Sequence, residues 1–166
     1  CLAGNHDLGF LEFLANPAQA SLFAQHGGVE TAMSYGVRLG FDSVEVLRNA
    51  HAELLSAMPE AHRSFLRALP YSASFGDFFF CHAGIRPGVP LDEQAEEDLV
   101  WIRGEFHRAD QLHPKVVVHG HTPVAEPDVR RNRVNIDTGA YYSGRLTALV
   151  IDGRTKRLLD VSEERR

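Results

Sequence analysis

The chain has 166 residues, of which 44% are hydrophobic and 23% charged, which excludes a disordered or fibrous protein. With 17 Lys and Arg against 22 Asp and Glu, the net charge of -5 argues against binding nucleic acid through the overall field of the protein. No apolar run approaches 18 residues, so no membrane span is predicted, and two cysteines are too few for a disulfide framework. We therefore expect a cytoplasmic protein with no nucleic-acid or membrane partner.

The first third of the chain has the apolar spacing of helices. The predicted helices and the residues that end them are Leu8–Leu14 before Asn16-Pro17, Val29–Tyr35 before Gly36, Ser43–Met58 with Ser43 as N-cap, and Pro59–Leu69. Their apolar stripes are expected to pack into a core.

Short apolar runs bounded by turn residues predict strands in the rest of the chain. The predicted strands are Tyr71–Phe75 and Phe78–His82 as a hairpin, then Lys115–His119, Arg133–Asp137, Arg145–Asp152 and Arg157–Val161. One further helix is predicted from Asp92 to about Phe106. The pattern favours an α/β (α+β layered) fold in a single domain over residues 1–166, with its site where strands end.

Three turns at predicted strand ends carry a histidine: Gly4-Asn5-His6-Asp7, His82-Ala83-Gly84 and Gly120-His121-Thr122. Turns from separate parts of the chain can converge on one point. Imidazole nitrogens suit Zn, Fe and Mn, and an amide oxygen suits harder ions. The turns therefore predict part of a metal site, although spacing alone does not decide between His119 and His121 as the ligand.

The first of these turns could place a general acid beside a metal ion. If Asn5 binds a metal through its side-chain oxygen, His6 is held beside the metal as a general acid. Asp7 could then bind one ring nitrogen of His6 and favour the imidazolium. The alternative is a turn in which Asn5 and Asp7 accept hydrogen bonds from backbone N–H groups.

Cys81, next to His82, is predicted to be a buried and inert thiol. It follows three Phe residues in a strand, and strand alternation turns it away from His82. A role as a nucleophile is therefore disfavoured.

The combination of four motifs in order resembles the calcineurin-like metallophosphoesterases, in particular the bacterial serine/threonine protein phosphatase branch. The motifs are Gly4-Asn5-His6-Asp7, Phe80-Cys81-His82-Ala83-Gly84, Val118-His119-Gly120-His121-Thr122-Pro123 and Asn135-Ile136-Asp137-Thr138-Gly139-Ala140. The resemblance implies a metallophosphoesterase-type β-sandwich flanked by helices, which holds two divalent metal ions. It implies Mn as the first candidate for the metal, with Fe or Zn as other candidates. It also implies that a hydroxide between the two metals attacks phosphorus in line.

Carried over by motif, Asn5, His82 and His121 resemble the ligands of the second metal. His6 resembles the proton donor to the leaving alkoxide, and Asp7 its orienting partner. Arg103 matches a region that supplies a phosphate-binding arginine in the family. An arginine suits this role because its guanidinium can donate hydrogen bonds to two phosphoryl oxygens. Arg86 and Tyr142 are weaker candidates for contacts with substrate.

Two earlier motifs of the family, Asp-x-His and Gly-Asp-x-x-Asp-Arg-Gly, do not occur in the 166 residues. They would supply the ligands of the first metal and a second phosphate-binding arginine. Because the chain opens as if in the middle of a strand at Cys1-Leu2-Ala3, we expect these motifs to precede Cys1. The chain then holds only the second half of the metal site and is expected to show little activity by itself.

The leading hypothesis is hydrolysis of phosphomonoesters, on a phosphorylated protein or a small phosphoester, by a serine/threonine protein phosphatase. A dinucleoside-polyphosphate (diadenosine tetraphosphate) hydrolase shares the same motifs and is the alternative. A non-catalytic binding module with an incomplete metal site is the alternative from another class. The helical insert over residues 16–70 is predicted to form a cap that determines specificity.

Overall fold

A boundary between Pro70 and Tyr71 divides the chain into two compact units in the computed structural model, which describes residues 1–19 and 21–162. The first unit comprises Cys1 and Ala3–Pro70, and the second comprises Leu2 and the chain from Tyr71 onward. The boundary coincides with the end of the predicted helical insert over residues 16–70.

Helices make up the regular structure of the first unit. They are α1 (Asn5–Ala15), α2 (Ser21–Gln25), α3 (Gly28–Ser34), α4 (Val44–Ala57) and α5 (Glu60–Arg67), with a 3-10 turn at Pro17–Gln19. The four predicted helices are confirmed as α1, α3, α4 and α5. In the described part of the chain, no helix combines the length and the apolar character needed to cross a membrane.

Capping side chains define where two of these helices begin. The carboxylate of Asp7 accepts a hydrogen bond from the backbone N–H of Gly4 at 2.8 Å, so α1 begins at Asn5 rather than at the predicted Leu8. The predicted N-cap of α4 is confirmed, since the Ser43 hydroxyl accepts from the N–H of Val46 at 3.1 Å. Residues 1–4 form no strand, and the N–H of Ala3 donates to the carbonyl of Pro70 at 2.9 Å.

The core of the first unit is rich in aromatic rings. Phe23 stacks on Phe10 and on Phe13, with a ring-centroid distance of 4.7 Å in both pairs. Ala50 and Leu54 of α4 are buried in the same cluster, as the apolar stripe predicted.

Two sheets form the frame of the second unit. A five-stranded sheet has the order β1-β2-β3-β5-β4, and β6 and β7 form a separate antiparallel pair. The strands are β1 (Ser72–Phe75), β2 (Phe78–Cys81), β3 (Val116–His119), β4 (Asp128–Val129), β5 (Arg133–Asn135), β6 (Arg145–Asp152) and β7 (Thr155–Ser162). The central strands β2, β3 and β5 are parallel, whereas β1 and β4 are antiparallel to their neighbours.

Alternating side chains of the central strands pack on opposite faces of the five-stranded sheet. On one face, Phe79 and Val117 join Phe106 and other residues of α6 (Glu96–Trp101) and α7 (Gly104–Arg108). On the other face, Phe78 and Val118 form a cluster against β6. This arrangement confirms the predicted α/β class, with sheets in layers and helices on the flank.

The helix predicted from Asp92 to Phe106 is wrong in its extent. It consists of the two short helices α6 and α7, because Ile102 is extended (ψ 141°) and Arg103 lies outside the helical region (φ -133°, ψ -100°). The poor helix former Gly104 is the only local signal of this break in the sequence. Strand β4 and helix α8 (Ala140–Ser143) were not predicted, since segments of two and four residues carry no readable period.

Candidate metal and phosphate site

The turns after β2 and β3 lie side by side at one edge of the sheet. These strands are parallel neighbours with Phe80 opposite Val118, so their carboxyl ends meet. The N–H of Gly120, in the turn after β3, donates a hydrogen bond of 2.8 Å to the carbonyl of His82, in the turn after β2. As a result, His82 and His121 face each other, with Nε2 of the first 3.1 Å from Nδ1 of the second.

The backbone of His121 adopts a conformation that residues other than glycine rarely hold. Its φ is +66°, and it is the only described non-glycine residue with positive φ. This left-handed conformation costs about 1–2 kcal/mol, and such strain is concentrated at functional sites. The imidazole is buried and lies edge-on to the ring of Trp101, with 5.8 Å between ring centroids.

The two imidazoles fit the requirements of a common cation. With metal–nitrogen bonds of about 2.0–2.1 Å, two nitrogens on one ion lie roughly 2.9–3.4 Å apart. The 3.1 Å between His82 and His121 falls in this range. Within the described residues, no three His, Cys, Asp or Glu side chains are grouped to hold an ion, so this pair would need further donors to hold one.

A recess of about 370 Å³ opens over this pair. Asp137 lines it together with His82, His119 and His121. Asp137 was not predicted as a site residue, although it lies within the Asn135–Ala140 motif that supported the resemblance. One of its carboxylate oxygens accepts from the N–H of Gly139 at 3.0 Å, which holds the carboxylate at the turn after β5.

His119 faces the helical side of the sheet. Its ring contacts those of Phe106 and His107, with centroid distances of 5.0 and 5.3 Å. Burial is the main cause that lowers the pKa of His119 to about 4, so the imidazole is neutral at physiological pH. Its packing makes His119 a structural neighbour of the His82–His121 pair.

The three candidate substrate contacts lie in different environments. Arg103 reaches the turn of His121, and its Nη1 donates to the hydroxyl of Thr122 at 3.2 Å. Tyr142 is 55% exposed on α8 and packs edge-on against Tyr141.

The guanidinium of Arg86, in contrast, is already engaged. It donates two hydrogen bonds to Asp98, at 2.6 and 2.7 Å, and one to Glu105 at 2.8 Å. These carboxylates raise the pKa of Arg86 further. Contact with a substrate phosphate would have to compete with both acidic partners, so the structure favours Arg103 over Arg86 for that role.

Asn5, His6 and Asp7 lie at the start of α1 in the first unit. Asn5 is buried, and the Asp7 carboxylate binds the N–H of Gly4, as the turn interpretation predicted. The pKa of His6 is lowered mainly by partial burial and then by the nearby His26, while the charge of Asp7 acts in the opposite direction.

The predicted inertness of Cys81 agrees with its surroundings. The side chain is buried among Phe79, Val117 and their neighbours, and its thiol donates to the carbonyl of Gly84 at 3.3 Å. Burial raises the pKa of this thiol to about 12. Because the thiolate is the nucleophile, Cys81 takes no part in the chemistry we consider.

Two curated proteins that are similar in sequence carry the same name. The chain is 41% identical over 83 residues to the bis(5'-nucleosyl)-tetraphosphatase PrpE of Bacillus thuringiensis, covering 42% of the chain and 34% of that protein. It is 54% identical over 92 residues to the PrpE of Anoxybacillus flavithermus, covering 45% of the chain and 36% of that protein. The chain thus spans about a third of the length of these relatives. No family model matches it.

The fold has a solved counterpart. A crystal structure of a presumed diadenosine tetraphosphatase superposes on 98% of this chain and 68% of its own, with a TM-score of 0.63 and 18% sequence identity. At that identity the likeness concerns the fold and not the activity. The chain therefore has a metallophosphoesterase-like fold, with a central sheet and flanking helices.

Proposed function

We propose that this chain carries part of the active site of a metal-dependent phosphoesterase. The observation that supports the proposal most is the 3.1 Å approach of His82 Nε2 and His121 Nδ1 at two adjoining strand ends. Bound divalent cations would neutralise charge on the phosphoryl group and lower the pKa of the attacking water. Arg103, which reaches the same turn through Thr122, would hold a phosphoryl oxygen.

The remaining roles rest on the motif at the start of α1. Asn5 is proposed as a further ligand of the cation that His82 and His121 hold, and His6 as the proton donor to the leaving group. Asp7 would act on His6 through its charge while it caps the helix. Replacing His6 with Asn should lower turnover much more than Mn²⁺ affinity, and an equal loss of both would argue against a proton donor.

The cofactor we propose is a pair of divalent cations, with Mn²⁺ as the first candidate. His82, His121 and Asn5 account for one cation. Ligands for the other belong to motifs that do not occur in these 166 residues. The cytoplasm is the compartment we propose for the activity, since the two described cysteines are free thiols.

The names of the relatives favour a dinucleoside polyphosphate as substrate over a phosphorylated protein. Both substrates present a phosphoryl group to the same kind of site, and they differ in what the leaving group carries. A substrate panel therefore decides between them. It should compare diadenosine tetraphosphate with a phosphoserine peptide in the presence of Mn²⁺, for this chain and for the product of the same gene extended upstream of Cys1.

We expect the extended product to hydrolyse diadenosine tetraphosphate faster than the peptide, and the 166-residue chain to be feeble on both. Preference for the peptide would support the hypothesis of a phosphoprotein phosphatase. If the extended product is also inactive on both substrates, the result would support a non-catalytic binding module instead of an enzyme.

A further inference from the structure

The first unit contains a cavity that no role assigned above explains. It has a volume of about 500 Å³ and lies among α1, α2, α3 and α5. This volume is in the range of about 300–1,000 Å³ that small-molecule sites occupy. His6, the proposed proton donor, and Asp7 form part of its wall.

Stacked aromatic rings form the buried part of this cavity. Phe10 and Phe23 line it, are 7% and 6% exposed, and stack with an angle of 4° between their rings. Phe65 of α5 also lines the cavity but is 54% exposed. Flat apolar surfaces with one solvent-accessible ring are suited to a planar aromatic ligand, because bases stack on such rings.

Polar side chains line the exposed part of the cavity. The hydroxyl of Tyr35 lies 2.9 Å from Nδ1 of His62, and the ring of His26 lies 5.5 Å from that of His6. Imidazole and phenol groups both donate and accept hydrogen bonds, as the edge of a heterocyclic base does. Gly27 also lines the cavity, and nothing lies within 4 Å of the position where its Cβ would be, which leaves space beside His26.

The charges of the side chains that line the cavity indicate which kind of ligand it could bind. Among the described residues that line the cavity there is no Lys or Arg, and Asp7 is the one acidic side chain. A phosphate chain would find no cation there, whereas an uncharged heteroaromatic ring would find stacking surfaces and hydrogen-bonding partners. From this lining and the presence of His6 in the wall, we propose that the cavity binds the nucleobase of the leaving nucleotide. This inference rests on the proposed function for His6 and names the substrate class of the same site.

The experiment measures direct binding of adenosine to the 166-residue chain. Adenosine has no phosphate, so its binding requires neither cations nor hydrolysis. We expect saturable binding in titrations followed by NMR, with shifts of the ring resonances of His6, His26 and His62. Ribose, which lacks the base, should produce no such shifts.

Phe65 allows a matched pair of variants. Phe65→Ala should weaken adenosine binding at least fivefold, since stacking on one aromatic ring contributes about that much or more. Phe41 is also an exposed phenylalanine of the first unit, at 47%, but does not line the cavity. Phe41→Ala should leave adenosine binding unchanged. His26→Ala, on the exposed part of the cavity, provides a second variant that should weaken binding if Phe65→Ala does not fold.

The outcomes separate this inference from the proposed function. If adenosine does not bind, or binds equally to the wild type, Phe65→Ala and His26→Ala, the nucleobase site is overturned whatever phosphoester is hydrolysed. If it binds and the two variants lose affinity, the site stands even when the hydrolytic assays fail.

Discussion

The left-handed backbone of His121 directs its Nδ1 to within 3.1 Å of Nε2 of His82. The N–H of the preceding Gly120 donates to the carbonyl of His82, so backbone and side chain of the turn after β3 both contact the turn after β2. This relationship makes a specific prediction about metal binding.

Replacing His121 with Gly should abolish Mn²⁺ binding with little change in stability. Glycine adopts positive φ without strain, and this gain of about 1 kcal/mol offsets part of the loss of the buried imidazole. Replacing His82 with Ala should also abolish binding. Calorimetric titration with Mn²⁺ and urea denaturation measure the two effects.

His113→Gln is the control for removal of a histidine from the same unit, since His113 does not line the recess. It should bind Mn²⁺ like the wild type. Undiminished Mn²⁺ affinity in His121→Gly would contradict the role proposed for the pair.

Arg103 and Arg86 should respond differently to substitution by alanine. Arg103→Ala should weaken binding of inorganic phosphate in the presence of Mn²⁺ about tenfold, because a charge-assisted hydrogen bond is lost. Arg86→Ala should leave phosphate affinity unchanged and lower the melting temperature, since Asp98 and Glu105 lose their common partner. Weaker phosphate binding in Arg86→Ala alone would reverse the assignment.

Gly84 is predicted to be intolerant of a side chain. A Cβ at this position would overlap the ring of Phe106, and φ is +150°, so Gly84→Ala should destabilise the protein by about 2–4 kcal/mol. Gly88 has φ +85° but nothing within 4 Å of its Cβ position, so Gly88→Ala should cost only about 1 kcal/mol. Urea denaturation of both variants measures the difference, and equal losses would mean that Phe106 moves aside.

Stability should fall as the pH decreases from 6.5 toward 4. The pKa of His119 is about 4 in the folded protein, mainly because of burial, against an ordinary value of 6.5. As the pH falls, the unfolded chain therefore binds a proton before the folded protein does. The free energy of unfolding, which is highest above pH 6.5, decreases by about 3 kcal/mol as the pH falls to 4. His107 and His113 have lowered pKa values for the same reason and act in the same direction.

Urea denaturation of the metal-free protein at several pH values tests this dependence. His119→Gln should flatten the stability profile between pH 6.5 and 4, because glutamine does not titrate there. A profile as steep as that of the wild type would show that His119 does not dominate the dependence.

The two thiols should differ in reactivity toward a disulfide reagent. Cys1 is exposed and should react at once, whereas Cys81 is buried. With a pKa of about 12, only about one Cys81 in ten thousand is a thiolate at pH 8. We expect one fast thiol per chain in the native protein and two in urea. Two fast thiols without urea would mean that the strand around Cys81 opens readily.

Local signals in the sequence were sufficient to predict most helices and the β1–β2 hairpin. Ser43 predicted the start of α4, and Asn16-Pro17 predicted the end of α1, because capping and proline effects act within one turn. The burial of Cys81 followed from strand alternation in the same way. By contrast, the break at Ile102 and Arg103 has no strong local signal and was missed.

The sequence by itself determined which residue types end the strands, and hence that imidazoles occupy two turns of the second unit. The family resemblance, but not the spacing, favoured His121 over His119, and the tertiary structure sets His121 opposite His82. Only the tertiary structure decided that Arg86 is held by acidic partners while Arg103 reaches Thr122. The physical reason is that spacing along a chain gives the alternation of side chains up to the end of a strand. Beyond β3 the left-handed backbone of His121 interrupts this alternation, and its ring lies opposite that of His82, which is 39 residues away along the chain.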